Sequence, residues 1–255
     1  MWAMASMLSD TARALQKARG ELTECTRSAH GKLTESSRKS PARQVCSATS
    51  RLLVHESIAT ELLKALEETT VALRVGDPKA EGTQMGPVIS ATQRDRIAAA
   101  VRKAEGEGVE VLVGGSGPPD VPGLEGGYYV KPTILNNVPV GSSAWCEEIF
   151  GPVLCVRTFK TEEEAVRLAN DSPYGLGHAV LSADEARADR VAAQLDAGNV
   201  WVNCNQALWA QTPFGGWKAS GFGFEYGEAG LHEYLRHKTV TSARQPGYSW
   251  KAYHG

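Results

Sequence analysis

The chain of 255 residues contains no apolar run approaching the roughly 20 residues that a membrane-spanning helix needs. Its charges almost cancel, with 27 basic and 29 acidic side chains and a formal net charge of −2. No basic surface that would bind a phosphate backbone is therefore indicated. Hydrophobic residues make up 42% and charged residues 22% of the chain, as in a globular protein. We expect neither a membrane nor a nucleic acid as partner.

Cysteine is scarce and odd in number, which disfavours a disulfide scaffold. The five cysteines are Cys25, Cys46, Cys146, Cys155 and Cys204. No C-x-x-C pair occurs, and no cysteine stands at zinc-ligand spacing from a histidine, so no metal site is predicted. We expect free thiols in a reducing compartment, with the cytoplasm as the location. One of these thiols is a candidate nucleophile.

Two common catalytic signatures are also missing. The sequence contains neither the G-x-S-x-G of a hydrolase nucleophile elbow nor the G-x-x-x-x-G-K-[ST] of a phosphate-binding loop. The glycines Gly221, Gly223 and Gly227 loosely imitate a dinucleotide fingerprint, but they follow a loop rather than a strand. We interpret them as turn glycines.

The first 45 residues differ from the rest in charge and composition. They carry eight basic and four acidic residues, are rich in serine and threonine, and show no strand pattern. We expect residues 1–45 to form a poorly ordered tail, or a segment foreign to the remainder of the chain. A basic, serine-rich start is also typical of an organelle transit peptide, which is the alternative to a cytoplasmic location.

From residue 51 onward, short β-type segments alternate with amphipathic segments of helical period. Strands are predicted at 51–55, 109–113, 151–159, 177–181 and 199–204, and helices at 56–74, 92–107, 161–169 and 183–195. Residues 128–135 are expected to be extended, with Pro132 disfavouring a central place in a sheet. A glycine- and aromatic-rich loop over 213–230 and a last β segment over 238–242 follow. The pattern predicts an α/β fold with a mostly parallel sheet, flanking helices and a small carboxy-terminal β element.

Five strings, in order along the chain, resemble the aldehyde dehydrogenase superfamily. They are QVCSATSR at 44–51, EEIFGP at 147–152, NDSPYGLG at 170–177, GNVWVN at 198–203 and PFGGWKASG at 213–221. Together they cover about residues 43–245. The first string, with WVNCNQ and PFGG, leans toward the betaine aldehyde and aminoaldehyde branch. The resemblance implies the catalytic-domain fold of that superfamily.

The resemblance also implies oxidation of an aldehyde to an acid, with NAD or NADP as cofactor. Cys46 matches the nucleophile, whose thiolate attacks the aldehyde carbon and passes through a thiohemiacetal to a thioester. Glu148 would hydrogen-bond the nicotinamide ribose, and Phe150 would lie against the nicotinamide ring. Hydrolysis of the thioester then needs water activated by a glutamate base.

Three further residues match the region of the family's substrate funnel. Asn203 stands at the end of a predicted strand, and Phe214 matches an aromatic that packs on a cationic substrate head in the betaine aldehyde branch. Trp209 is placed in the same funnel. An aromatic face there favours an ammonium group by a cation–π attraction of about 0.5–2 kcal/mol. Ordinary core packing is the alternative for Phe214 and Trp209.

The sequence departs from the family ahead of Cys46. The Gly-rich cofactor loop, the adenosine-side lysine and the oxyanion asparagine have no counterpart in the 45 residues that precede it. The string ESSRKSP at 35–41 keeps the glutamate-to-lysine spacing of the family's ELGGKSP, which makes Glu35 a candidate base. Arg43 replaces a glycine beside the nucleophile, where a tight turn would be disturbed. We expect impaired cofactor binding and little dehydrogenase activity from the isolated chain.

These observations divide the chain into a tail at 1–45, a catalytic domain at 46–235 and a β or oligomerisation segment at 236–255. The first hypothesis is a dehydrogenase for a small-molecule aldehyde, active as a homo-oligomer or with a full-length paralogue that supplies the missing domain. The second is a non-catalytic assembly module that pairs with full-length subunits. The third is cofactor-free acyl transfer through Cys46, and the fourth is a wrong exon join at 42–44.

Overall fold

A seven-stranded sheet organises the chain in the computed structural model, which describes residues 3–7 and 44–242. Its strands are β1 (Ala3–Met7), β2 (Thr49–His55), β3 (Glu110–Val113), β4 (Thr133–Asn136), β5 (Val153–Phe159), β7 (Gly177–Leu181) and β8 (Asn199–Val202). The helices are α1 (Glu56–Val71), α2 (Ala91–Gly106), α3 (Ser143–Cys146), α4 (Glu162–Asn170), α5 (Glu185–Ala192) and α6 (Gly227–His232). Two-residue strands β6 (Tyr174–Gly175), β9 (Phe214–Gly215), β10 (Trp217–Lys218) and β11 (Phe224–Glu225) form two small antiparallel pairs.

The strand order in the large sheet is β3-β4-β5-β2-β1-β7-β8. Neighbouring strands are parallel, apart from β3, which runs antiparallel to β4 at one edge. Helices cover both faces of the sheet. Alternate residues of β2 accordingly belong to different hydrophobic cores, one on each face. The mostly parallel α/β fold expected from the alternating pattern is confirmed, and its two covered faces explain the nearly continuous apolar run of β2.

Two helices begin directly after capping residues in the sequence. Thr161, at the start of the predicted helix 161–169, caps α4 by accepting a hydrogen bond from the backbone N–H of Glu164 at 3.2 Å. Ser90 caps α2 in the same way through the N–H of Gln93. Both caps satisfy backbone donors that a helix start leaves without an internal partner.

The structure differs from the sequence-based expectation in the first 45 residues, where no strand was predicted. β1 lies between β2 and β7 and is parallel to both. Its sequence, AMASM, has no β-branched or aromatic residue, so β-strand propensity does not predict it. The backbone ladder to two neighbours determines its conformation instead. The other residues up to 43, over which the sequence predicts the rest of the tail, lie outside the part that the structure describes. They include Glu35 and Arg43.

Three further expectations need correction. β4 is flanked by strands on both sides, and Pro132 is compatible with this because it lies just ahead of the strand and removes no ladder donor. The predicted loop 213–230 contains the short strands β9 to β11 and helix α6, since its backbone finds local partners. Residues 238–242 carry no strand in the described chain, because no neighbouring strand there pairs with their backbone groups.

Two hydrophobic cores hold the sheet between its helices. One core joins β2, β5 and β7 to the inner faces of α2 to α5 and includes Ile97, Trp145 and Phe159. The other joins the opposite face of the sheet to α1 and includes Leu62 and Trp201. Within residues 3–7 and 44–242, no helix is both long and apolar enough to cross a membrane.

Candidate functional site

Cys46 lies in a tight turn directly ahead of β2 and is half-buried with a free thiol. The turn is closed by the backbone N–H of Ala48, which donates to the Val45 carbonyl at 3.1 Å. Gln44 anchors its entry, since its Oε1 accepts a hydrogen bond of 2.7 Å from the N–H of Ile89. These two hydrogen bonds fix the backbone of the turn that carries Cys46 ahead of β2.

The EEIFGP segment follows α3 and is held in place by α2. The Nε2 of Gln93, on α2, donates to the carbonyls of Ile149 and Phe150, at 3.1 Å in each case. Phe150 has a φ of 52°, a left-handed conformation that is strained for an aromatic residue. The two side-chain hydrogen bonds stabilise this backbone, and they keep the Phe150 ring at the surface with 37% of the residue exposed.

The Cys46 turn and the EEIFGP segment line one cleft. Val45 and Ala48 contribute to it from the turn, and Glu148 and Phe150 from the segment, with Cys155 also lining it. The cleft measures about 20 Å³, which is room for a water molecule. The structure thus brings the neighbours of the predicted nucleophile together with both residues that were predicted to contact the cofactor.

The loop after β8 also bonds to residues beside Cys46. Its polar residues Asn205 and Gln206 belong to the WVNCNQ string, but the sequence assigned neither of them a role in the site. The Nε2 of Gln206 donates to the Ser47 carbonyl at 2.8 Å, and the Nδ2 of Asn205 lies 3.1 Å from the Thr49 Oγ1. The loop follows β8 and folds back because the Trp201 indole N–H donates to the Ala207 carbonyl. Its only sequence signal is the polar pair that directly follows WVNC.

The three residues predicted to line a substrate funnel lie outside the cleft formed by Val45 and Glu148. Asn203 ends β8, where its Oδ1 accepts from the Ser182 N–H at 2.9 Å and its own N–H donates to a carbonyl of β7. Phe214 is half-buried against the core that contains Trp201. Trp209 is 65% exposed. Asn203 therefore has a bonding role in the scaffold, and Trp209 presents an accessible aromatic surface.

Two buried basic side chains lie on either side of β1. Arg51 on β2 and His178 on β7 both pair in register with Met4. Burial lowers the pKa of the Arg51 guanidinium to about 10, so it remains charged at neutral pH. Burial, with repulsion from Arg51 and Lys218, lowers the pKa of His178 to about 4, so this imidazole is neutral. A fixed positive charge therefore lies in the strand that follows Cys46.

Within the described part of the chain, no group of three or more His, Cys, Asp or Glu side chains is arranged to hold a metal ion. The cleft instead combines two residues that flank Cys46, Val45 and Ala48, with the Glu148 carboxylate and the accessible Phe150 ring. Such a combination suits covalent chemistry on a carbonyl carbon beside a bound aromatic cofactor.

Comparison with known proteins identifies the class. Residues 39–240 match the aldehyde dehydrogenase family, and the chain belongs to this family. A chloroplastic aminoaldehyde dehydrogenase from Arabidopsis thaliana is 50% identical over 198 residues, which are 78% of this chain and 39% of that protein. A chloroplastic betaine aldehyde dehydrogenase from Atriplex hortensis is 50% identical over 199 residues, with the same coverage.

Solved structures agree with this assignment. A betaine aldehyde dehydrogenase from Staphylococcus aureus, crystallised in complex with NAD+, is 37% identical and has a TM-score of 0.81. The similarity covers 92% of this chain and 43% of that one. The fold is thus the one found in aldehyde dehydrogenases. The chain spans about 39% of the length of the curated relatives described above.

Proposed function

We propose that Cys46 is the nucleophile in an NAD(P)-dependent oxidation of an aldehyde to an acid. The observation that carries this proposal is the cleft shared by the neighbours of Cys46 and by Glu148 and Phe150. Membership of the aldehyde dehydrogenase family supports the reaction class. The betaine aldehyde and aminoaldehyde names of the relatives support the substrate class.

The residues of the cleft fit the nicotinamide end of such a cofactor. Phe150 offers an aromatic ring with 37% exposure, and Glu148 offers carboxylate oxygens that accept hydrogen bonds from ribose hydroxyls. Because the cleft is small, the ring would bind at its mouth, against Phe150, rather than inside it. The chemistry that NAD(P)+ supplies when bound is acceptance of a hydride, which converts a thiohemiacetal to a thioester.

The chain's own residues supply the covalent steps. The Cys46 thiolate forms a bond to the aldehyde carbon, and the carbonyl electron pair moves to the oxygen. A backbone N–H near Cys46 would donate to that oxyanion. After hydride loss, water attacks the thioester, gives a proton to a general base and releases the acid with the Cys46 thiolate. Glu35 remains the predicted base. It lies ahead of residues 39–240, which match the family.

A cationic aldehyde is the substrate that we infer. Trp209 provides an exposed aromatic face, and Phe214, although half-buried, lies a few residues further along the same segment. Aromatic faces attract ammonium groups, which betaine aldehyde and aminoaldehydes both carry. Asn203 would support this surface indirectly, by fixing the end of β8.

Acylation of Cys46 tests the proposed nucleophile separately from the cofactor. The purified chain is incubated with a p-nitrophenyl ester of an ω-amino acid, and the modified cysteine is located by peptide mass spectrometry. We expect the acyl group on Cys46, and its loss in Cys46→Ala, while the matched variant Cys204→Ala at an exposed thiol keeps it. Acylation spread equally over Cys146 and Cys204 would contradict the proposal.

Formation of NADH from an aminoaldehyde and NAD+ tests the complete reaction. The expected result is that any NADH signal disappears in Cys46→Ala and persists in Cys204→Ala. An NADH signal that is unchanged in Cys46→Ala would show that another group carries the chemistry. The same assay with added full-length paralogue tests whether a second chain restores the activity.

Association with other subunits is the second proposal, and a specific surface favours it. Exposed apolar side chains concentrate near the carboxy terminus, at Phe222, Leu231, Tyr234, Leu235 and Val240. Several exposed large apolar side chains in one stretch of sequence favour an interface there. We therefore propose that residues 236–255 belong to an oligomerisation segment that follows the catalytic domain at 46–235. Size-exclusion chromatography with light scattering should show an oligomer that Val240→Asp weakens, whereas a monomer would contradict it.

The compartment is also a proposal. The printed names of the relatives from Arabidopsis thaliana and Atriplex hortensis describe them as chloroplastic, and that of a Pisum sativum relative as peroxisomal. With the basic, serine-rich start of this chain, these names favour an organelle over the cytoplasm. Imaging of the tagged 255-residue chain tests the location, and a reporter protein fused to residues 1–45 tests whether this segment directs it.

A further inference from the structure

A second cavity, far larger than the cleft beside Cys46, lies between α2 and the loop that leads to β4. Its volume is about 480 Å³, within the range of small-molecule sites. Arg94, Ala98 and Arg102 line one wall, and the four-residue spacing places them on one face of α2. The opposite wall comes from residues 116–130.

One hydrogen bond ties the loop wall of this cavity to α2, and another lies within the loop. The Ser116 hydroxyl donates to the Glu105 carboxylate of α2 at 3.2 Å, and the Glu125 carboxylate accepts from the Gly123 N–H at 2.8 Å. Val121 and Tyr129 are buried and supply an apolar surface. Burial also raises the pKa of the Tyr129 hydroxyl, which is therefore neutral at physiological pH. The wall that faces α2 therefore combines a hydrogen-bonded loop with buried apolar side chains.

Two opposite charges in this cavity do not neutralise each other. Arg94 is already bound to Asp95 at 2.9 Å. Arg102, Asp120 and Glu125 also line the cavity, and none of the three has an ion-pair partner among the residues that the structure describes. The Glu125 carboxylate accepts a backbone N–H, which leaves the Asp120 carboxylate and the Arg102 guanidinium as the opposite charges open to a ligand. An apolar surface with such charges is complementary to a molecule that carries both charges on an apolar spacer.

We propose that this cavity binds a small zwitterion of the ω-amino acid type. Its carboxylate would pair with the Arg102 guanidinium and its ammonium group with the Asp120 carboxylate. The methylene spacer would pack on Val121 and Tyr129. An ω-amino acid is the acid that oxidation of an aminoaldehyde yields, and in this respect the inference rests on the proposed function.

Helix α2 connects this cavity to the candidate active cleft. Arg94 and Arg102 face the cavity, while Gln93 on the same helix bonds the carbonyls of Ile149 and Phe150. Ile97 of α2 also contacts Gly151. An occupant of the cavity would therefore lie against the same helix that holds the Phe150 backbone.

Isothermal titration calorimetry of the 255-residue chain with 4-aminobutyrate tests the site. Butyrate and butylamine, which each carry one of the two charges, serve as the comparison probes. We expect saturable binding of 4-aminobutyrate and binding roughly ten-fold weaker for each single-charge probe, because a hydrogen bond to a charged group is lost. The variants Arg102→Gln and Asp120→Asn should each weaken 4-aminobutyrate binding to a similar degree.

Two control variants make the outcome specific. Arg96→Gln changes an exposed arginine of α2 that does not line the cavity, so binding should be unchanged. Cys46→Ala should also bind 4-aminobutyrate normally, whether or not Cys46 is the nucleophile. Absence of saturable binding, equal binding of butyrate, or loss of binding in Cys46→Ala would each overturn the inference. Cooperative thermal unfolding of each variant confirms that it is folded.

Discussion

The Arg51 guanidinium lies 5.1 Å from the centroid of the Trp145 ring. Both residues are almost fully buried. Arg51 belongs to β2, which follows the Cys46 turn, and Trp145 belongs to α3, which leads into the EEIFGP segment. A desolvated cation–π contact of this kind contributes roughly 2 kcal/mol. It therefore connects the two parts of the chain that line the candidate active cleft.

Removal of this indole is expected to destabilise the whole domain. Trp145→Ala should lower the free energy of unfolding by about 3–5 kcal/mol, because a buried aromatic is lost and Arg51 loses its ring partner. Urea denaturation followed by far-UV circular dichroism measures the change. Trp209→Ala is the matched control at 65% exposure and should change stability by less than about 1 kcal/mol. Equal losses in the two variants would contradict the assigned contact.

His178 should make stability depend on pH. Its pKa is about 4 in the folded chain, against an ordinary value of 6.5. Between these values the unfolded chain binds a proton that the folded chain does not, so stability falls as the pH drops from 6.5 toward 4. Above this window the contribution is fully present. The loss attributable to this one side chain is about 3 kcal/mol.

Urea denaturation at several pH values between about 7 and 4 measures this dependence. The variant His178→Gln should have a shallower slope, because it removes the buried titrating group. His232→Gln is the control, since this histidine has half of its side chain exposed and lies 3.5 Å from the Glu228 carboxylate. An unchanged slope in His178→Gln would show that other groups dominate the acid response.

Gly151 in the EEIFGP segment should tolerate no side chain. A Cβ there would lie 2.7 Å from the Cγ1 of Ile97, which is fully buried in the core beneath α2. Gly151→Ala should therefore lower the free energy of unfolding by about 1–3 kcal/mol, as overpacked cores do. Gly126→Ala is the matched control, because a Cβ at that position meets nothing within 4 Å. Thermal denaturation of both variants measures the difference.

The hydrogen bond between Gln206 and the Ser47 carbonyl should control access to Cys46. Gln206→Ala removes the 2.8 Å bond that ties the loop after β8 to the Cys46 turn. We expect Cys46 to react several-fold faster with iodoacetamide, since local opening limits reagent access to a half-buried thiol. Peptide mass spectrometry gives the rate at each cysteine. Exposed Gln211→Ala should leave the rate unchanged, and so should Gln206→Ala at Cys204.

The sequence predicted most of the fold because its main elements carry local signals. The strand at 51–55 and the helix at 161–169 were found from hydrophobic period and a capping threonine, and the structure has β2 and α4 at these positions. Residues 238–242 have strand-like letters as well, yet they form no strand in the described chain. Period and capping act within a few residues, whereas a strand also needs a neighbour that supplies hydrogen bonds.

The candidate site was only partly accessible from sequence. Glu148 and Phe150 were chosen by resemblance, and their position beside Val45 and Ala48 came from the tertiary structure. Gln93 was not chosen, because an isolated glutamine on an amphipathic helix has no sequence feature that distinguishes it from a surface residue. Its role depends on the carbonyl of Phe150, which is 57 residues away along the chain.

The sequence by itself determined the alternation of strands and helices, the candidate nucleophile and the family, because these depend on residue types at short spacing. The tertiary structure alone decided that Ala3–Met7 lies inside the sheet, between β2 and β7, and that α2 both lines the larger cavity and bonds to residues of the cleft. The physical reason is the range of the interactions. Backbone pairing and packing join residues that are distant in sequence, and the local preferences of a segment do not specify which other segment it will contact.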